Sequence, residues 1–353
     1  MARLDRIRIA GFKSIRDQEV ELRPLNVLIG ANGSGKSNFI GVFRLLHEIV
    51  SGRLQLHVAR SGGAERILHY GRKVTGALHL DLRFGPVGYF CELTPTLNDA
   101  LVFAHEIVST WESEDTWQDA LGAGHKETAL EPTGPMAAIL RGWQVYHFHD
   151  TSDAARAKQT GDLHDNAYLR PDAGNLAAFL YRLRKTQPDA YRNITEVVRL
   201  VAPFFGSFTL QPDRLNPDKI KLEWQEKGSD AYFDAHSLSD GTLRFICLAT
   251  LLLQPELPST VLLDEPELGL HPYAITILAD LLRSAATRTQ VVVSTQSVTL
   301  VNQLSPEDIL VVDRLESASV FRRLTQEEIA TWLDDYALGE LWEKNVLGGR
   351  PGA

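Results

Sequence analysis

Residues 25–38 constrain this chain more than any other stretch. Leu25-Asn26-Val27-Leu28-Ile29 is an apolar run of strand length. Gly30-Ala31-Asn32-Gly33-Ser34-Gly35-Lys36-Ser37 follows, and Asn38 through Leu46 then carries apolar residues at helical spacing. The octapeptide fills every fixed position of G-x-x-x-x-G-K-[ST]. Its three glycines allow turns closed to other residues, so that amide N–H groups point inward at a phosphate. Lys36 is placed to neutralise β/γ oxygens and Ser37 to put its hydroxyl on Mg²⁺, while the helix that starts there adds its positive end. Strand, loop and helix in this order predict an α/β fold built around a nucleoside triphosphate.

Two further motifs lie far downstream. Val261-Leu262-Leu263 reads as a buried strand that delivers Asp264 and Glu265. Mg²⁺ takes oxygen ligands and is usually held by one or two carboxylates plus phosphates, which suits Asp264 acting through water. Glu265 is then the candidate general base for an attacking water. Ahead of them, Leu238-Ser239-Asp240-Gly241-Thr242 opens an apolar helix, with Ser239 as its N-cap and the helix start as a second anion site.

With these three motifs the chain resembles the ABC-type ATPase heads of the RecF, SMC and OLD-like branch, and within it the RecF-type predicted ATPases. The resemblance implies an α/β head with a mixed central sheet flanked by helices and a smaller inserted helical lobe. It implies ATP and Mg²⁺ as ligands, with Gly30, Ala31, Asn32, Gly33, Ser34, Gly35, Lys36, Ser37 and Asn38 holding the nucleotide and Ser37 and Asp264 the metal. In that family the signature L-S-G-G-Q of one subunit closes on the γ-phosphate bound by another. Ser239, Asp240 and Gly241 take that part here, with Asp240 and Thr242 departing from the pattern. Glu267-Leu268-Gly269-Leu270-His271-Pro272 stands where the D-loop follows the acids, and Ile7 to Ile15 looks like the first strand and turn. Where many heads carry a switch histidine this chain has Gln296, which can hydrogen-bond a γ-phosphate oxygen but cannot titrate. Catalysis is thereby assigned to Glu265, Lys36 and Gln296.

Bulk properties set the outer limits. The chain has 353 residues, 44% hydrophobic and 23% charged, ordinary values for a soluble globular protein with a sizeable core. The run from Phe245 to Leu253 is about half of the ~20 residues a membrane span needs. Cys91 and Cys247 make neither a disulfide framework nor a metal site, and no signal segment opens the chain, so a cytoplasmic location is expected. A net charge of −9 argues against a nucleic-acid-coating protein but allows a local basic face. The candidates are Arg3, Arg6, Arg8, Lys13 and Arg16, and Arg182, Arg184, Lys185 and Arg192.

Along the chain, residues 1–150 and 241–353 are expected to form the nucleotide lobe, with antiparallel strands over 76–111. Residues 151–240 are expected as the inserted lobe, with helices from Asn175 to about Ala202 broken at Pro188. Residues 112–135, acidic and then rich in Gly, Thr and Pro, read as a loop. His147-Phe148-His149-Asp150 puts two imidazoles on one strand face without a third ligand, so it reads as a strand end rather than a metal site. Gln144 is the candidate for the Q-loop glutamine. No heptads form a coiled-coil arm, and the residues after Gln296 leave no room for the nuclease domain of OLD-type proteins.

The function expected is ATP hydrolysis by an ATP-dependent homodimer acting on DNA, in repair or genome maintenance. The alternative is an ATP-gated subunit that controls a separately encoded effector, for example a nuclease or toxin in an antiphage system. The signature variant and Gln296 set aside a membrane-transport ATPase.

Overall fold

The computed structural model describes residues 3–112, 115–333 and 336–349. Two six-stranded sheets dominate. The first is antiparallel, in the order Ile15–Glu21, Arg6–Phe12, Leu78–Phe84, Val87–Pro95, Leu101–Glu112, Asp115–Gly122. The second runs Ala318–Arg323, Ile309–Leu315, Leu25–Ile29, Gln290–Thr295, Thr260–Asp264, Trp143–Tyr146, and every pairing but the first is parallel.

The apolar runs explain this second sheet. Parallel strands are covered on both faces, so they read as continuous hydrophobic segments. Successive side chains alternate between those faces. Leu28, Leu262 and Val292 point to one core, with the phosphate-loop helix Lys36–Val50 and Ile7, Ile9, Leu80 and Leu82 of the antiparallel sheet. Val27, Ile29, Val261, Leu263, Val291 and Val293 point to the other, under the helices Asp240–Leu253 and Pro272–Ala286. The signature helix Asp240–Leu253 is apolar nearly all round because it is sandwiched: every residue from Leu243 to Leu252 is buried.

Residues 151–240 hold the helices Leu176–Thr186 and Pro188–Val201 together with five short strands, and their apolar residues join the second core. The break at Pro188 falls where the sequence puts it. Residues 115–122, read as loop, instead form a strand paired to Leu101–Glu112, a correction to the sequence reading. Ser113 and Glu114 lie outside the described residues. Among the described residues no helix is long and apolar enough to cross a membrane.

Candidate nucleotide site

The parallel strands end in one row. Ile29 is level with Thr295, Ser294 with Asp264, and Leu263 with Tyr146. Open α/β sheets place their sites beyond the carboxyl ends of such strands. The phosphate loop, Gln296, Asp264-Glu265 and His147 each follow one of these ends.

The loop has the backbone the motif requires. Gly33 and Gly35 sit at φ +78° and +121°, and a Cβ on Gly35 would lie 2.0 Å from Ser319 Oγ, so only glycine fits there. Lys36 is 5% exposed, and its ammonium donates to Gly30 O at 2.6 Å and Ala31 O at 3.1 Å. Burial pushes its pKa down, while Glu265, Asp264 and Glu267 oppose that. Ser34 Oγ is buried without a partner. The Lys36–Val50 helix has no side-chain cap, which leaves its first N–H groups available to an anion. These features fit a triphosphate.

Three residues brace the loop from behind. Ser319 Oγ donates to Ser34 O at 2.5 Å and meets Ser14 Oγ at 2.6 Å. Asn38 Nδ2 donates to Ser14 Oγ at 2.7 Å, so its amide supports the turn. Of the three, the sequence points only Asn38 to the site, and as a nucleotide ligand.

Asp264 accepts a hydrogen bond from Ser294 Oγ. Glu265 adopts φ +44°, a strained conformation for a residue with a Cβ, and its N–H donates to Ser294 O at 2.8 Å. Gln296 Nε2 donates to Glu265 Oε1. The sequence reading aims Gln296 at the γ-phosphate; here its amide holds the candidate base. Glu267, 8% exposed, accepts from Thr295 Oγ1 at 2.5 Å and Gln296 N at 3.3 Å, and burial raises its pKa. Ser37 and Asp264 offer the oxygen donors Mg²⁺ takes. Among the described residues no group of three His, Cys, Asp or Glu could cage a metal, so phosphate and water oxygens would complete that shell.

Gln144 is not in the row. It pairs with Val261, three rungs before Asp264, and its amide donates to Arg141 O at 3.2 Å. Beyond the end of its strand comes His147, whose Nε2 meets the Arg44 guanidinium. Burial, then Arg44, pushes His147 down to about 4. His147 and His149 lie with ring centroids 6.2 Å apart.

The signature residues open the helix Asp240–Leu253. Ser239 Oγ accepts from Thr242 N at 3.2 Å as the N-cap, and Ser239 and Asp240 are exposed. Arg244, one turn on, donates to Phe148 O at 2.9 Å and His149 O at 3.1 Å. A Cβ on Gly241 would lie 2.5 Å from Gly269 O, so the helix start packs on the D-loop segment.

The family described as "AAA domain, putative AbiEii toxin, Type IV TA system" matches residues 112–302. The chain belongs to this family. The family described as "AAA ATPase domain" matches residues 3–63, which include the phosphate loop. No curated protein matches the chain. Among solved structures, an Smc head bound to the C-winged helix domain of ScpA aligns with a TM-score of 0.61 at 15% identity, over 93% of this chain and 99% of that one. An Smc head with an extended coiled coil, bound to the C-terminal domain of ScpA derived from Pyrococcus furiosus, gives 0.61 and 15%, over 95% and 99%. The fold is that of an ABC-type P-loop ATPase head, as the resemblance implied.

Proposed function

We propose that the chain hydrolyses ATP with Mg²⁺ in an ATP-dependent sandwich dimer. The observation that carries this reading is one row of strand ends bearing the phosphate loop, Asp264, Glu265 and Gln296, while Ser239 and Asp240 face solvent. A second copy is needed to bring a signature segment to the loop.

Mg²⁺ and ATP supply the polarised γ-phosphoryl group. Lys36 would present a largely dehydrated ammonium to its oxygens, and Ser37 and Asp264 would hold the metal. Glu265 takes the proton of the attacking water while Gln296 keeps the carboxylate in place. Tight ATP binding alone drives no association, so the dimer must bind ATP better than the monomer; Ser239 and Gly241 of the second copy make that difference. Phosphate release and solution mass, with and without Mg·ATP, test both parts. Lys36→Ala is expected to lose turnover and ATP-driven dimerisation, and retained turnover overturns the site assignment.

Two readings exist for what the cycle acts on. DNA maintenance follows from the RecF-type resemblance. Control of a separate effector protein is favoured by the toxin–antitoxin wording of the matching family and by solved heads of this fold bound to a ScpA domain. Three of the nine basic candidates are already engaged by acids: Arg6 pairs with Glu19, Arg8 with Asp17 and Arg192 with Asp189. Turnover stimulated by DNA, with the stimulation fading as salt rises, decides for the first reading. Turnover that ignores linear, nicked and single-stranded DNA decides for the second.

A further inference from the structure

Gly30, the first glycine of the phosphate loop, is closed in by two other segments. A Cβ on it would lie 2.3 Å from Val312 O, and Gly349 comes so near that a Cβ there would lie 3.2 Å from Gly30 Cα. Gly349 is held in place. Its N–H donates to Asp313 Oδ1 at 2.6 Å, and its φ of +77° suits a residue without a Cβ. The next residue along the strand, Arg314, donates to Gly33 O at 3.2 Å. One strand end grips the phosphate loop through Arg314 and Gly349 through Asp313.

The segment that ends in Gly349 has a second attachment. Its helix Leu338–Glu343 packs on the short helix Val298–Val301, where Gly339 N donates to Asn302 Oδ1 at 2.6 Å. A Cβ on Gly339 would lie 2.6 Å from Val298 O. That short helix follows Gln296 directly, with Ser297 as its N-cap. Between the two attachments the segment has little slack. Leu338, Leu341, Trp342 and Leu347 are buried in the second core. Lys344, Asn345 and Val346 each donate a backbone N–H back into the helix at 2.9 Å, and Arg322 Nη2 donates to Leu347 O at 2.9 Å.

We propose that Leu338–Gly349 is a clamp that holds the phosphate loop and the strand end bearing Gln296 at one fixed spacing, with Gly339, Asp313 and Gly349 as positioning residues for hydrolysis. This rests on the ATP reading above. The loop takes the γ-phosphoryl group, while Gln296 holds the base Glu265, so the clamp sets the distance across which base and phosphate meet. Close-packed interiors pass on small displacements instead of absorbing them. Rate depends on that distance far more steeply than affinity does, since binding draws on the loop and rate on both ends.

Two variants release the clamp from opposite ends. Gly339→Ala sets a methyl against Val298 O, and Asp313→Ala frees Gly349 N without adding atoms, so it carries the test alone if Gly339→Ala does not fold. Amide hydrogen exchange on the nucleotide-free protein reads the link itself. Gly339→Ala should speed exchange in the phosphate loop, and Asp313→Ala in residues 298–302, each by about tenfold, the scale of one lost hydrogen bond. In phosphate release both should lower kcat by about tenfold, with calorimetric affinity for a non-hydrolysable ATP analogue and Mg²⁺ unchanged. Asp313→Asn keeps an acceptor oxygen and should stay near wild type. Exchange unchanged at the far end overturns the clamp whatever becomes of the ATP reading. An unchanged kcat, or analogue affinity that falls in step with kcat, overturns its part in hydrolysis. If wild type binds no analogue, the ATP reading fails and takes that part with it.

Discussion

Gln296 Nε2 donates to the Glu265 carboxylate across the ends of two paired strands. One residue is the candidate base and the other stands where many related heads carry a titrating switch, so the pair joins the two positions by an amide. A fixed carboxylate raises the fraction of bound states ready to react, and small misplacements of catalytic groups are expensive. Gln296→Ala is therefore expected to lower kcat by about 10–100-fold with little change in the KM for ATP. Gln296→Glu sets a second carboxylate against Glu265, so one of the pair should hold its proton to higher pH, and the rate profile should move alkaline. Steady-state phosphate release across pH reads both effects.

Lys36 is nearly buried against two carbonyl oxygens, and burial depresses its pKa. The unliganded fold therefore bears a desolvation cost for the sake of the ligand. Lys36→Met should leave the urea midpoint unchanged or higher while ATP binding disappears. A large fall in the midpoint would assign Lys36 a structural role instead.

Glu106 lies inside the antiparallel sheet with its side chain 0% exposed. It accepts from Tyr89 OH at 2.7 Å, Ala129 N at 2.8 Å and Thr128 Oγ1. Glu106→Ala strands the buried Tyr89 hydroxyl, while half-buried Thr128 and exposed Ala129 can turn to water, and should cost about 2 kcal/mol of stability. ATP affinity should not change, since none of these partners belongs to the nucleotide row. Thermal unfolding with parallel calorimetry checks the separation.

His147 has its pKa pushed down to about 4 from 6.5, by burial first and by Arg44 next. As pH falls below 6.5 the unfolded chain takes up a proton that the folded chain refuses, so stability present above that pH is lost on the way to 4. Allowing for the ring's partial exposure, the loss should be about 2 kcal/mol or less. His147→Gln removes this contribution. Urea unfolding at pH 7 and pH 4.5 should show a smaller difference for the variant than for wild type.

Gly241 lets the signature helix lie against Gly269, where a Cβ would stand 2.5 Å from the carbonyl oxygen. Gly241→Ala must push the helix start or the D-loop segment aside. The variant should bind ATP as a monomer with near-normal affinity but fail to dimerise and turn over. Loss of ATP binding itself would show that the two segments also support the phosphate loop of their own chain.

What could be read beforehand was what is local. The phosphate loop, the acid pair and the capped signature helix are each written within one short segment, because the backbone they shape is contiguous with the residues that need it. The bracing of that loop is not local: Ser14 and Ser319 touch across 305 positions, and neither residue carries a pattern that announces the other. Asp115–Gly122 escaped for a different reason. It is the edge strand of its sheet, and strand preference at an edge depends on the neighbour it pairs with more than on its own residues. Gln296 could be placed on the right strand end, but its partner Glu265 follows from the register of two strands about thirty residues apart.

The central claim is that Glu265 performs hydrolysis at a site completed by a second copy. Phosphate release and light-scattering mass should be measured together for wild type and Glu265→Gln in Mg·ATP. The account predicts that the variant binds ATP normally, releases phosphate at least 100-fold more slowly, on the order expected for loss of a general base, and accumulates as a dimer. Equal turnover by wild type and variant, or a variant that stays monomeric with ATP bound, would contradict it.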